Sequence, residues 1–291
     1  MHICSVNHKN KIKMKHTGIT LVALLIATSI FAQDFQGEAT YKSKRKMDIE
    51  LDSTQIGGER YNQIIEMLKK NFEKTYILTF NKQESIYKEE EVLEAPQPDG
   101  MQFVVASTDG SDILYKNTKE QRYASQNEVF GKVFLIKDNL EKPDWTMHGE
   151  TKNIGNYTCH KATMKREIEV SESSMSINGD KDLTETPKPK IEEITITAWY
   201  TMQIPVNNGP ARYQGLPGLI LEVNDGTETI VCSKIVLNPK DKVSIVEPDK
   251  GKVVNQVEFE EIVEKKMQEM NDRYQHNRDG DGETIEIRIG G

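Results

Sequence analysis

The histidines and cysteines beyond residue 32, which could bind a metal or act as nucleophiles, are His148, His160, His276, Cys159 and Cys232. None of the histidines has a metal-type spacing such as H-x-x-x-H. Cys159 precedes His160 directly, and neighbours on a strand point to opposite faces, which disfavours a Cys–His dyad. No G-x-S-x-G elbow, S-x-x-K motif or phosphate loop is present. The sequence therefore predicts no catalytic residue, no metal ligand set and no cofactor.

One acidic motif keeps a metal site open as an alternative. Residues 277–282 place Asn, Asp and Asp two apart before a glycine, as in the first half of a calcium loop. Arg288 stands where such a loop needs a bidentate glutamate, which favours an ordinary acidic turn. The alternative function is a metal-dependent hydrolase whose site is assembled from distant residues. Its candidate residues are His148, His160 and Asp279 to Asp281.

Cys159 and Cys232 have two alternative interpretations. A pair of cysteines in an exported protein is typical of a disulfide. Such a bridge would close a loop of about 74 residues and stabilise the fold by about 4 kcal/mol on the chain-entropy model. The alternative is a pair of buried free thiols that pack as small apolar groups. Spacing does not decide between them, because it does not show whether the two Cα atoms meet.

Residues 1–32 have the parts of a secretory signal peptide. Four lysines and no acidic residue precede an apolar run from Ile19 to Phe31, and Ala32 offers a small residue for cleavage. The run has about a dozen residues, fewer than the roughly 20 of a membrane-spanning helix. We therefore expect cleavage after Ala32, and an exported chain that is periplasmic or outer-membrane-associated and does not span the membrane. Met14 begins a compact signal of its own, so we interpret Met14 as the translation start.

Charge limits the partners of the chain after residue 32. Removing the four lysines of the signal leaves 34 basic against 46 acidic residues, a net charge of −12. This acidic balance, with no basic cluster, argues against nucleic acid and anionic lipid surfaces as partners. The oligomeric state is not determined by the sequence.

Periodicity predicts a mainly β (α+β) fold, a curved antiparallel sheet with an N-terminal and a C-terminal helix. An apolar stripe of helical spacing predicts the first helix over 57–72, and a partial stripe that includes Val257 and Met267 predicts the second over 257–275. About ten strands separate them, with a tight hairpin at Gly155-Asn156. Residues 33–291 are expected to form one domain, with a flexible charged insertion at about 166–190.

Residues 199–223 combine prolines and glycines between two apolar runs. Proline fixes φ and cannot donate to a strand ladder, whereas glycine permits angles that other residues resist. Alternating the two predicts a stiff detour between strands, a structural corner rather than a catalytic loop. The residues of this motif are Trp199, Tyr200, Pro205, Gly209, Pro210, Gly215, Leu216, Pro217, Gly218, Leu219 and Ile220.

Two blocks of this sequence resemble the GLPGLI family, secreted proteins of Bacteroidota-type envelopes. The central block runs A-W-Y-T-x-x-I-P at 198–205, N-G-P at 208–210 and G-L-P-G-L-I-L-E-V at 215–223. The second block is W-x-x-x-x-E-T-K-x-I-G-x-Y-x-C-x-K-A-T at 145–163. The resemblance implies no reaction and no catalytic residues. The layout is also similar to a lipoprotein-carrier-like half-barrel, an analogy that does not fix function.

These observations favour a non-catalytic envelope protein of uncharacterised role. We expect it to bind a hydrophobic ligand or an outer-membrane protein partner on the concave face of its sheet.

Overall fold

A computed structural model describes residues 35–46, 73–90, 112–170, 174–175, 190–241, 244–276 and 287–288. From Gln36 onward they belong to one compact unit. Several predictions fall outside the described residues: the helix at 57–72, the predicted signal peptide, the acidic motif at 277–282 and most of the predicted insertion. The edges of that insertion are strands, because β8 extends to Val170 and β10 begins at Lys190.

Strands make up most of the described chain. They are β1 (Gln36–Arg45), β2 (Glu73–Asn81), β3 (Glu84–Glu89), β4 (Ile113–Asn117), β5 (Arg122–Val129), β6 (Lys132–Asn139), β7 (Thr146–Ile154), β8 (Tyr157–Val170), β9 (Ser174–Met175), β10 (Lys190–Thr201), β11 (Leu219–Asn224), β12 (Glu228–Leu237), β13 (Lys252–Val254) and β14 (Ile287–Arg288). The described helix is α1 (Gln256–His276).

Twelve of the strands form one open sheet in the order β13-β6-β5-β4-β3-β2-β1-β12-β11-β10-β8-β7. Its pairings are antiparallel except β13 with β6, which is parallel. The sheet is therefore mixed, which corrects the expectation of a purely antiparallel one. The short strands β9 and β14 pair separately.

Local sequence accounts for much of the sheet. The Thr-Ile alternation of β10 buries Ile196 and leaves its neighbours partly exposed, as period-two patterning requires. The hairpin between β7 and β8 turns at Gly155-Asn156, with Ile154 paired to Tyr157. Gly155 has φ of 56°, a value that glycine adopts without steric cost. The predicted hairpin is confirmed.

A capping box begins α1. Asn255 accepts from the backbone N–H of Glu258 at 2.8 Å, and the Glu258 carboxylate accepts from that of Asn255 at 3.0 Å. The Asp138 carboxylate accepts from the backbone N–H of Gln256 at 3.2 Å. Two of the first donors of the helix, the N–H groups of Gln256 and Glu258, are thus satisfied by side chains of this chain.

Packing fixes the buried face of α1 differently from the predicted stripe. Phe259 meets Phe134 of β6 edge to face at 5.5 Å between ring centroids, and both Phe259 and Val263 are buried. Val257 and Met267 are instead 61% and 50% exposed, so the stripe was wrong at these positions. The physical reason is that Phe259, absent from the partial stripe, is the anchor that sets the rotation of the helix.

Candidate functional site

The predicted corner is a loop of residues 202–218 between β10 and β11, called here the β10–β11 loop. Its backbone is bonded to itself and to the start of β11. The N–H of Asn208 donates to the carbonyl of Val206 at 2.9 Å, and that of Ile220 donates to Asn208 at 3.0 Å. The N–H of Leu219 donates to the carbonyl of Ile204, also at 2.9 Å. These bonds close the loop into a compact layer.

Most residues of the motif are buried, and the exceptions are at its surface. Trp199 is half-buried, and Pro205, Gly215 and Pro217 are exposed. The buried members are Tyr200, Gly209, Pro210, Leu216, Gly218, Leu219 and Ile220. A tyrosine from another strand fixes the end of the motif, because the Tyr41 hydroxyl donates to the carbonyl of Ile220 at 2.7 Å.

Two glycines of the motif lie where a side chain would collide. A Cβ on Gly218 would lie 2.1 Å from the carbonyl oxygen of Thr201, and one on Gly209 would lie 2.8 Å from the Cβ of Ile220. Such distances are far inside van der Waals contact, so the loop depends on close backbone approach at these points. Gly215 adds a positive φ of 98° beside Pro143.

A buried lysine from β4, a strand distant from β10 and β11 in the sheet order, holds this loop. Lys116 of β4 is fully buried, and its ammonium donates to the carbonyls of Gly209, Ala211 and Tyr213 at 2.8, 2.7 and 3.3 Å. Ala211 has φ of 45°, a left-handed conformation that is uncommon for alanine and turns the local backbone. Sequence reasoning missed this residue, because a lysine in a strand is normally expected to reach solvent.

The protonation of Lys116 is balanced between two opposing effects. Burial lowers the pKa of Lys116 to about 7. The three carbonyl acceptors favour the charged ammonium, which has three protons to donate. With all three protons directed at the loop and no exposed surface, Lys116 serves as a clamp on the β10–β11 loop and does not face a substrate.

Further side chains connect the loop to its surroundings. The Arg212 guanidinium stacks over Tyr123 at 4.9 Å from the ring centroid and donates to the Gln256 side chain at 2.8 Å. The indole N–H of Trp145 donates to the carbonyl of Gln214 at 2.8 Å. The loop is thereby attached to β5, to the start of α1 and to the segment before β7.

Trp199 takes part in a cluster with two charged residues. Lys152 lies over its ring at 4.4 Å and donates to both carboxylate oxygens of Glu222 at 2.7 Å. The lysine and glutamate side chains are 34% and 20% exposed, so the ion pair is partly screened. The cluster bridges β7, β10 and β11 and leaves no free charge for a ligand.

The predicted cysteine pair is not bridged. Cys159 and Cys232 are both buried free thiols. Burial raises the pKa of Cys159 to about 11 and that of Cys232 to about 12. At neutral pH each is a protonated thiol, whereas the reactive nucleophile would be a thiolate.

His148 and His160 do not come together. The ring of His148 is 2.8 Å from the Thr163 hydroxyl, whereas His160 packs against Tyr200 with centroids 5.9 Å apart. Thr163 and His160 are three apart on β8, so they face opposite sides of that strand. Across the part of the chain that the structure describes, no group of three or more His, Cys, Asp or Glu side chains could hold a metal ion.

A second candidate site lies between α1 and the hairpin of β5 and β6. It is a cleft of about 580 Å³, called here the α1 cleft. Its lining residues are Val129, Phe130, Lys132, Val133, Phe134, Lys252, Ile262 and Lys266. Five of these side chains are apolar and three are lysines. No pattern in the sequence marked it, since its walls come from three separate segments.

The hairpin at the mouth of the α1 cleft has a strained turn. Val129 pairs with Lys132 across Phe130 and Gly131, whose φ angles are 52° and 68°. Two positive φ values define the type I′ hairpin turn, which normally has Asn or Gly at its first position. A bulky aromatic there costs conformational energy, and residues held in such conformations cluster at binding sites. Phe130 is the aromatic that the turn presents to the cleft.

The fold is that of a mainly β protein built on one open sheet. Part of the sequence also matches a family of unknown function. Residues 145–222 match the family model described as "Protein of unknown function (Porph_ging)". This span contains the block at 145–163 and most of the block at 198–223. The match does not carry the GLPGLI name, which stays a prediction.

Solved structures offer distant similarity. The chain is similar to "Structure of PNGF-II in C2 space group", with 14% identity and a TM-score of 0.45 over 79% of this chain and 32% of the other. A second, "Structure of PNGF-II in P21 space group", has 13% identity and a TM-score of 0.44 over 79% and 33%. The chain spans about a third of the length of these proteins. Similarity at this level assigns neither a fold family nor a function to the chain. No curated protein sequence matches the chain significantly.

Proposed function

We propose that this protein is a non-catalytic binding protein of the cell envelope that takes a hydrophobic ligand into the α1 cleft. The observation that carries the proposal is the cleft itself, about 580 Å³ with Phe130, Val133, Phe134 and Ile262 among its walls. This volume lies within the roughly 300–1,000 Å³ of small-molecule sites, which are mostly apolar with few polar groups.

The β10–β11 loop supports this proposal because it differs from the α1 cleft. Many of its backbone groups are bonded within the fold, three of them to Lys116 of β4, so the loop is a scaffold and the ligand is held elsewhere. In this proposal the open sheet serves as a lipoprotein-carrier-like half-barrel, and α1 packs on it through Phe259 to form one wall of the binding site.

The cleft favours a small ligand over an outer-membrane protein partner. A standard protein interface buries about 800 Å² on each partner and needs a broad surface, whereas this site is a concave slot between one helix and one hairpin.

The basic and apolar segments at the N-terminus support export. Within the described residues, no helix has the length and apolar character needed to cross a bilayer.

Binding of a neutral hydrophobic probe tests the proposal. We would titrate the purified chain with N-phenyl-1-naphthylamine and follow its fluorescence. Ile262→Trp fills the α1 cleft from the helix side and is expected to weaken binding at least tenfold. Val257→Trp is the matched control, because Val257 lies on the same helix and is 61% exposed outside the cleft.

Equal probe affinity in the wild type, Ile262→Trp and Val257→Trp would contradict the proposal, because binding would then occur elsewhere. A wild-type chain that binds no probe would contradict it as well. Circular dichroism of each variant shows whether the fold is retained.

A further inference from the structure

The α1 cleft has a polar feature that a purely hydrophobic ligand would not use. Three of its lining residues are lysines, Lys132 on β6, Lys252 on β13 and Lys266 on α1. They come from three elements and surround one apolar space. This grouping is unusual for the chain as a whole, which has 46 acidic and 38 basic residues.

Two of these lysines have unused charge. The side chains of Lys132 and Lys252 are exposed and make no ion pair or hydrogen bond with any residue that the structure describes. Lys266 is bonded to Glu269, one turn further along α1, so its charge is partly balanced. The cleft therefore has about two uncompensated positive charges near its apolar walls.

The form of a lysine side chain suits this position. Its four methylene groups pack along apolar surface while the ammonium stays in water at the rim. Lys252 is paired in the sheet with Phe134, and Lys132 with Val129, so both stems start beside cleft walls. An elongated ligand with its apolar part in the cleft would place its head near these ammonium groups.

We propose that the ligand of the α1 cleft is a single-chain amphiphile with an anionic head, an inference that rests on the proposed function. Its chain lies against Phe134 and Ile262, and Lys132, Lys252 and Lys266 bind its carboxylate or phosphate. The start of α1 competes less for the head, because the N–H groups of Gln256 and Glu258 are bonded to Asp138 and Asn255.

The alternative without ligand binding is that the three lysines only keep an apolar surface hydrated. Exposed lysines are common, and most contribute little to any specific interaction. The two interpretations differ in one measurable respect. Hydrating lysines give no preference between a charged and a neutral head of equal chain length, whereas head-binding lysines do.

Competition with the neutral probe measures this preference. Decanoate, decyl phosphate and decanol would each displace N-phenyl-1-naphthylamine from the full chain below their aggregation concentrations. We expect decanoate, decyl phosphate or both to compete about tenfold more strongly than decanol. The preference should shrink as salt rises, because the contacts are near the surface. The ratio of the two anions distinguishes a fatty-acid head from a phosphate head.

Charge-removing variants assign the preference to the cleft. The double variant Lys132→Gln and Lys252→Gln should lose most of the anion preference while its affinity for the neutral probe stays unchanged. The control is Lys240→Gln with Lys265→Gln, which removes the same net charge at exposed positions that do not line the cleft. This control should keep the preference.

Each outcome separates this inference from the function on which it rests. If decanol competes as well as both anions while Ile262→Trp still abolishes probe binding, the anionic head is wrong and the hydrophobic site stands. If both double variants lose the preference equally, net charge rather than the cleft is responsible, and the inference is again overturned. If Ile262→Trp has no effect on the probe, the proposed function itself fails.

Discussion

The β10–β11 loop and the α1 cleft differ in how much of their bonding capacity the fold already uses. At the loop, the fully buried Lys116 of β4 donates its three protons to the carbonyls of Gly209, Ala211 and Tyr213. In the cleft, Lys132 and Lys252 are exposed beside apolar walls, without an ion pair to any described residue. Many polar groups of the loop are bonded within the fold, whereas two lysines of the cleft are available to a ligand.

This difference shows that a distinctive sequence motif need not mark the binding site. Prolines and closely packed glycines make the loop recognisable, and both exist for backbone reasons. The cleft has ordinary residues in ordinary strands and a helix. Changes in the loop should therefore act on stability, and changes in the cleft should act on binding.

Gly218→Ala is expected to have the largest effect on stability. The new Cβ would lie 2.1 Å from the carbonyl oxygen of Thr201, and the clash is with backbone, which cannot easily move. We expect a loss of about 3 kcal/mol or more in the free energy of unfolding, above the usual cost of overpacking. Urea unfolding measures it.

The matched control is Gly149→Ala, at a glycine with no atom within 4 Å of the new Cβ. It should stay within about 0.5 kcal/mol of the wild type. A Gly218→Ala protein as stable as this control would show that the loop tolerates displacement and is not a scaffold.

Lys116→Met should have the next largest effect. The substitution keeps a long side chain but leaves three carbonyls without their donor, and each unsatisfied buried acceptor costs about 1–3 kcal/mol. Removing a buried charge offsets part of this cost, so we expect a net loss of about 2–4 kcal/mol. Lys119→Met, at an exposed position in the turn after β4, is the control. Unchanged stability in Lys116→Met would mean that the clamp is dispensable.

The stability contributed by Lys116 should rise with pH. Its pKa is lowered by burial to about 7, against an ordinary value of 10.5. Between these values the unfolded chain binds more protons than the folded one, so the free energy of unfolding increases with pH. The difference between wild type and Lys116→Met should therefore grow from pH 7 to pH 9, by at most about 1.4 kcal/mol per pH unit. A flat difference would show that the carbonyls restore an ordinary pKa.

Neutralising the cleft should have the smallest effect on stability. Lys132→Gln with Lys252→Gln removes no ion pair to a described residue, so its unfolding free energy should stay within about 0.5 kcal/mol of the wild type. A clear loss of stability would place these lysines in the fold rather than in the site, and would remove the contrast between the two regions.

The sequence predicted the local elements better than the contacts between those elements. The alternation around Ile196 and the turn at Gly155 depend on neighbours in the chain, and both were predicted correctly. The buried face of α1 was predicted incorrectly, because Val257 and Met267 fit a local stripe that the contact between Phe259 and Phe134 overrides. The parallel pairing of β13 with β6 was also missed, since a three-residue strand has too few positions to show a pattern.

The sequence by itself determined the β-rich class, the C-terminal helix and the glycine-dependent course of the β10–β11 loop, because backbone angles and periodicity are local properties. Tertiary structure alone decided which residues meet. Lys116 reaches a carbonyl 95 residues away, and the α1 cleft combines segments near residues 130, 252 and 264. Such contacts depend on how the sheet and α1 pack, and no local pattern along the chain encodes them.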